Sequence, residues 1–191
     1  MAFQPCNFAS ADLWRQLSVI PSSTACGQRQ YPCGARLKDG TIIDRVLFLE
    51  EAHGLYNRSW VPLESIAEVW DSPLRMPVHL AQKLYAAGES GMGYLIYRAI
   101  TNTGQEFVNL TGSIVDFPGL PEGVMGTDIV DVYPHEGRDP KTSPERIPHP
   151  PVREAHFVRP RSGLDVGCVT LEPPISIEEI VAAIREGRER G

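Results

Sequence analysis

Two clusters in the sequence hold residue types that can do chemistry. Glu50-Glu51-Ala52-His53 places carboxylates beside an imidazole, a combination that moves protons or holds a divalent metal. Asp128, Asp131, His135 and Glu136 form a second group, in which Asp131, His135 and Glu136 are the candidate metal ligands. The first cluster lies beside Gly54 in a polar stretch, where a solvated loop is the simpler reading. In the second, Asp128 and Asp131 are three residues apart, so on a straight strand they face opposite sides. No catalytic residue is assigned from either.

Other chemistry-bearing signals are weaker. The run Gly88-Glu89-Ser90-Gly91-Met92-Gly93 is glycine-rich, but it follows a helix and precedes a strand. A phosphate loop needs the reverse order, because the anion sits on the exposed N–H groups of a helix start. Cys6, Cys26, Cys33 and Cys168 show neither CxxC nor zinc-ligand spacing. Cys33 and Cys168 are possible nucleophiles, although a buried Cys is usually a small core residue. There is no Gly-x-Ser-x-Gly elbow and no His-Glu-x-x-His. No cofactor is implied. Trp60, Trp70, Tyr56 and Tyr133 can line a ligand groove or a protein contact. Ile177, Ile180, Val181 and Ile184 repeat at helical spacing and form an apolar stripe that must bury against something.

The elements that would position these residues are mostly strands. Asp39-Gly40 between Ala35–Lys38 and Thr41–Leu49 reads as a type I′ hairpin turn. Val46 to Leu49 is apolar on both faces, so both faces should be covered. A third strand is expected in two parts, 59–63 and 65–70, with Pro62 at an edge or bulge. A second hairpin pairs 94–101 with 105–110 around Asn102-Thr103-Gly104, and further short strands are expected at 114–117 and 128–133. Two helices frame this set. One spans 9–19 and is capped by Ser10. The other spans 77–87, with Pro77 in its first turn and Gly88 ending it. A third helix, with a Ser176/Glu179 capping box, is expected near the C-terminus after a strand at 166–171.

Shifting the chain by 63 residues superposes Ile66, Glu68, Val69 and Trp70 on Ile129, Asp131, Val132 and Tyr133. A shift of 64 brings Ala35 onto Ala99 and Gly40 onto Gly104. The expectation is therefore a β-rich α+β protein of two related antiparallel β units, each a small SH3-like or Sm-like barrel or part of one curled sheet, with peripheral helices. Residues 1–30 form an N-terminal helix and loop. Residues 31–136 form the β-rich core, with 31–73 and 94–136 as the two copies. Residues 137–163 form a Pro-rich extended arm, and 164–191 a C-terminal strand and amphipathic helix.

Composition bounds the partners. The 191 residues are 42% hydrophobic and carry a net charge of −6, which argues against nucleic acid as the partner. The basic segment 138–161 (Arg138, Lys141, Arg146, Arg153, Arg159 and Arg161) is expected to lie across the chain's own acidic surface. No apolar run approaches the about 18 residues that span a membrane, and the first residues lack a signal-peptide pattern. A cytoplasmic protein with reduced thiols is the expectation. The residues favour a non-enzymatic binding or protein-interaction module, with a protein partner or self-association through the C-terminal helix. Trp60, Trp70, Tyr133, Ile177, Ile180 and Ile184 are its candidate contacts. The alternative is a small hydrolase or metal-dependent enzyme using the His53 or Asp131/His135 neighbourhood.

Overall fold

The computed structural model describes residues 8–50, 61–112, 114–139 and 143–159. The first described element is helix α1 (Ala11–Leu17), started by Ser10, whose Oγ accepts from the Leu13 N–H at 3.1 Å. This satisfies one of the orphan donors of the first turn. Strands β1 (Ser23–Ala25), β2 (Gln28–Leu37) and β3 (Ile42–Glu50) follow. A 3₁₀ turn at Leu63–Ser65 then leads into β4 (Ile66–Asp71). Helix α2 (Val78–Ala87) opens after Pro77 and closes at Gly88, whose φ of 74° suits only glycine well. Next come β5 (Leu95–Thr101), β6 (Glu106–Thr111), a 3₁₀ turn at Gly126–Asp128 and β7 (Ile129–Pro134). The short strands β8 (Arg146–Ile147) and β9 (Arg153–Phe157) complete the set.

These strands make a strand-rich α+β fold with two mixed sheets. In the first the order is β1-β2-β3-β9, with β4 also paired to β2. In the second it is β7-β5-β6-β8. Each hairpin and returning strand is antiparallel, but β9 runs parallel to β3 and β8 parallel to β6. The expected antiparallel units are thus corrected to mixed sheets, and neither sheet closes into a barrel. Closing a barrel would require the free edge of β3 or of β6, and the Pro-rich arm occupies both.

The two sheets share their order of elements. A helix precedes a hairpin, and a 3₁₀ turn leads a third strand back to the first strand of that hairpin. Leu37 N–H donates to Thr41 O at 2.8 Å, and Thr101 N–H to Gln105 O at 3.0 Å. Lys38 N–H reaches Ser65 O at 2.7 Å, and Asn102 N–H reaches Asp128 O at 2.8 Å. The pairing slips by one residue at Arg36/Leu37 in the first sheet and at Ile100/Thr101 in the second.

The turn at Asp39-Gly40 is not type I′. Only Gly40 has positive φ there, at 91°, and Gly40 N–H bonds back to Leu37 O at 2.9 Å. This is the three-residue loop with a glycine bulge, and Asp39 Oδ1 accepts from Thr41 N–H at 2.9 Å. Both central residues of a turn have positive φ at Cys26-Gly27 instead, 49° and 78°, joining β1 to β2 where the sequence reading placed a loop. Residues 114–117 are a connection and not a strand, although Val115, Asp116 and Phe117 are all buried.

Alternation along β2 and β3 divides the side chains between two faces. Tyr31, Cys33, Val46 and Phe48 join Leu13 and Leu17 of α1, Val69 of β4 and Phe157 of β9 in one apolar cluster. Leu80, Ala81 and Leu84 of α2 pack with Leu95, Tyr97, Phe107 and Val132 in another. Leu47 and Leu49 project from the face of the first sheet opposite Phe48 and are also buried. The whole run Val46–Leu49 is therefore covered on both sides.

Candidate functional site

The second face of the first sheet meets α2 and the connection after β6. Gln30, Leu47 and Leu49 come from the sheet side, and Leu84, Tyr85 and Val115 from the other, around a cleft of about 240 Å³. The cleft is walled mostly by apolar side chains and falls just below the range of drug-sized ligand cavities, which suits a small ligand. Its apolar walls are what strand alternation and helix periodicity leave when two elements meet without interdigitating fully.

The polar groups at this junction form one network. Tyr85 Oη donates to Asp116 Oδ2 at 2.6 Å, and Gln30 Nε2 donates to the same oxygen at 2.8 Å. Gln30 Nε2 also lies 2.5 Å from Tyr85 Oη and 3.1 Å from Ser23 Oγ. Val115 N–H donates to Tyr85 Oη at 3.3 Å. The network is anchored from both sides: Gln30 belongs to β2, Tyr85 to α2, and Asp116 to the connection that also accepts Met76 N–H on its backbone oxygen at 2.9 Å.

Asp116 is fully buried. Burial pushes its carboxyl above the usual aspartate range, against the hydrogen bonds from Tyr85 and Ser23 and the charge of Arg75. Burial also pushes the Tyr85 hydroxyl up, and the neighbouring Asp116 charge adds to this. Tyr85 therefore holds its proton throughout the physiological range. Arg75, nearly fully buried, ties the segment before α2 to the first sheet. Its Nη1 donates to Pro21 O at 2.8 Å and to Asp71 Oδ1 at 3.1 Å. Asp116 Oδ1, Arg75 Nη2 and Tyr97 Oη are buried without a hydrogen-bond partner, so polar capacity remains unused around Asp116, whose charge both Arg75 and Tyr97 feel.

The rim holds Cys26, Glu89 and Glu154. Cys26 is exposed, whereas Cys33 is buried and its thiol is pushed up by that burial. In a Cys6→Ser/Cys168→Ser background, a thiol reagent such as a maleimide is expected to modify Cys26 in the folded protein and Cys33 only on unfolding. Mass spectrometry of digested, labelled protein checks this; label on Cys33 under native conditions would contradict it.

The residues singled out by sequence are dispersed. Asp131 pairs with Lys83 at 2.8 Å, and Glu136 pairs with Arg98 at 2.8 Å. His135 Nδ1 lies 2.8 Å from Ser90 Oγ. Each of the three serves a different partner, and no three His, Cys, Asp or Glu side chains stand together as metal ligands among the described residues. Tyr133 lies under two cations, with the Arg98 guanidinium 4.4 Å and Lys83 Nζ 5.3 Å from its ring. Trp70 covers Gly34, where a Cβ would come within 2.4 Å of the indole. Glu50 accepts from Arg159 Nη2 at 2.9 Å and so holds the arm. Trp60, His53, Ile177, Ile180 and Ile184 lie outside the described residues.

Sequence reading missed Gln30, Tyr85 and Asp116 as a group. The one local signal was Asp116, a lone carboxylate in the apolar run Ile114–Phe117. Comparison with known proteins adds nothing to this geometry: no family model, no curated protein and no solved structure matches the chain.

Proposed function

We propose that the protein is a non-enzymatic binding protein whose ligand occupies the cleft between the first sheet and α2. The observation that carries this reading is the cleft itself, a cavity of about 240 Å³ with apolar walls beside a hydrogen-bonded Gln30–Tyr85–Asp116 network. Apolar walls supply binding energy, and a few fixed polar groups orient a ligand. Burial keeps the Tyr85 proton in place and favours the protonated form of Asp116, which suits a recognition surface better than a proton relay.

The test uses Gly112, which borders the cleft. A Cβ built there would meet nothing closer than the Gly93 carbonyl oxygen at 4.0 Å, so the position accepts a side chain, and Gly112→Leu is expected to take up cleft volume. Short-chain alcohols are expected to raise the melting temperature of the wild type and to leave Gly112→Leu unchanged. Equal shifts in both proteins would remove the cleft from the account.

We also propose that the two units are copies of one helix–hairpin–3₁₀–strand module, supported by the matched hydrogen bonds and the matched slips in pairing. The hairpin with its returning strand is the part such a module would share with an SH3-like or Sm-like half-barrel. Contact with a protein partner or a second copy is proposed at the Ile177/Ile180/Ile184 stripe from its spacing alone. Removal of residues 173–191 is expected to lower the number of chains per particle in solution; an unchanged number would eliminate self-association through that segment. No helix among the described residues is long and apolar enough to cross a membrane.

A further inference from the structure

We infer that the cleft selects a small amphiphile with a hydrocarbon body and a protonated amine. This inference rests on the cleft being the ligand site and adds the charge of the ligand. The walls are Leu47, Leu49, Leu84, Leu95 and Val115, which offer nothing to an ionic group and accept a short alkyl chain. The charges stand at the rim, and both are carboxylates: Glu89 after α2 and Glu154 on β9. No Lys, Arg or His lines the cleft among the described residues.

The carboxylates retain capacity to accept. Glu89 Oε2 accepts from Gly93 N–H at 3.0 Å. Glu154 Oε2 lies 3.7 Å from His156 Nε2, with about a third of its side chain exposed (35%). A carboxylate offers about four lone-pair sites, so one such contact leaves room for an ammonium. Asp116 is not among the lining residues, and its Oδ2 already takes the Gln30 and Tyr85 donors, so Glu89 and Glu154 are the carboxylates that an ammonium in the cleft meets. The amine therefore sits at the rim and the chain points inward. A ligand carboxylate in the same pose would face Glu89 and Glu154 with no cation among the described lining residues to meet it. The net charge of −6 adds a long-range term of the same sign, weakened by salt.

Isothermal titration calorimetry with n-hexylamine, n-hexanol and hexanoate tests this, each probe titrated into wild type and into Gly112→Leu. The Gly112→Leu heats define binding outside the cleft. Hexylamine is expected to bind the cleft about tenfold more tightly than hexanol, the worth of one hydrogen bond to a charged group, and hexanoate most weakly. Glu89→Gln/Glu154→Gln is expected to bring hexylamine down to the level of hexanol. Parity of hexylamine with hexanol, or hexanoate binding as tightly as either, would overturn the charge selectivity while leaving the cleft as a binding site. Identical heats in wild type and Gly112→Leu for all three probes would overturn the cleft reading, and this inference with it.

Discussion

Phe157→Ala is expected to lower the unfolding free energy by about 3–5 kcal/mol, the range for truncating a buried aromatic. Phe157 ends β9 and is fully buried. Its ring lies 5.8 Å from that of Tyr31 on β2 and 6.1 Å from that of Trp14 on α1. The side chain therefore joins three elements far apart in sequence. Nearby, Arg159 stacks over Trp14 at 4.5 Å and pairs with Glu50, so the arm is held by both packing and charge. The loss would be a large share of the roughly 5–15 kcal/mol that holds a domain together. Urea denaturation checks it. Phe157→Leu, which keeps most of the volume, is expected to recover most of the midpoint. A midpoint unmoved by Phe157→Ala would mean that the arm is not part of the fold.

The second large effect is expected at Asp116. Asp116→Ala removes the acceptor shared by Tyr85 Oη and Gln30 Nε2 and leaves buried donors without it, at a cost of about 3 kcal/mol. Asp116→Asn separates charge from hydrogen bonding. In the folded wild type the Asp116 carboxyl binds its proton more tightly than in the unfolded chain, because burial disfavours the ionised form. Its contribution is therefore whole below the unfolded value of about 3.9 and is lost as pH rises through the folded value. Asn has no proton to lose. The stability of wild type relative to Asp116→Asn is thus expected to fall as pH rises from about 3.5. Paired urea titrations at several pH values measure this difference and cancel the other carboxylates. A difference that grows with pH would contradict the buried-carboxyl account.

The fold was legible where signals are local. The Ser10 cap, the Pro77 start and Gly88 stop, the two hairpins and the returning strands all follow from neighbours in sequence. The returning strands Ile66–Asp71 and Ile129–Pro134 even align at the shift read from sequence. What was not legible is tertiary. Arg146–Ile147 and Arg153–Phe157 are short and lie among prolines, with only Glu154–Phe157 alternating; they become strands because β6 and β3 offer edges to pair with. The Cys26-Gly27 turn was missed because Cys is not among the residues that usually accept positive φ. Asp39-Gly40 carried the right residues for one turn and forms another, since a glycine bulge needs positive φ only at Gly40. The site was the least legible part. Gln30 and Asp116 are 86 residues apart, and no local pattern pairs them. Asp131, His135 and Glu136 are close in sequence, yet α2, β5 and the loop after α2 each supply a separate partner.

The most direct test of the cleft as the ligand site is a methyl-detected NMR titration of leucine-labelled protein with n-hexanol. Saturable shifts are expected at Leu47, Leu49, Leu84 and Leu95, with Leu13 and Leu17 in the α1 cluster unchanged and all shifts lost in Gly112→Leu. Shifts confined to other leucines, or no saturable shift at any of these four, would contradict the account.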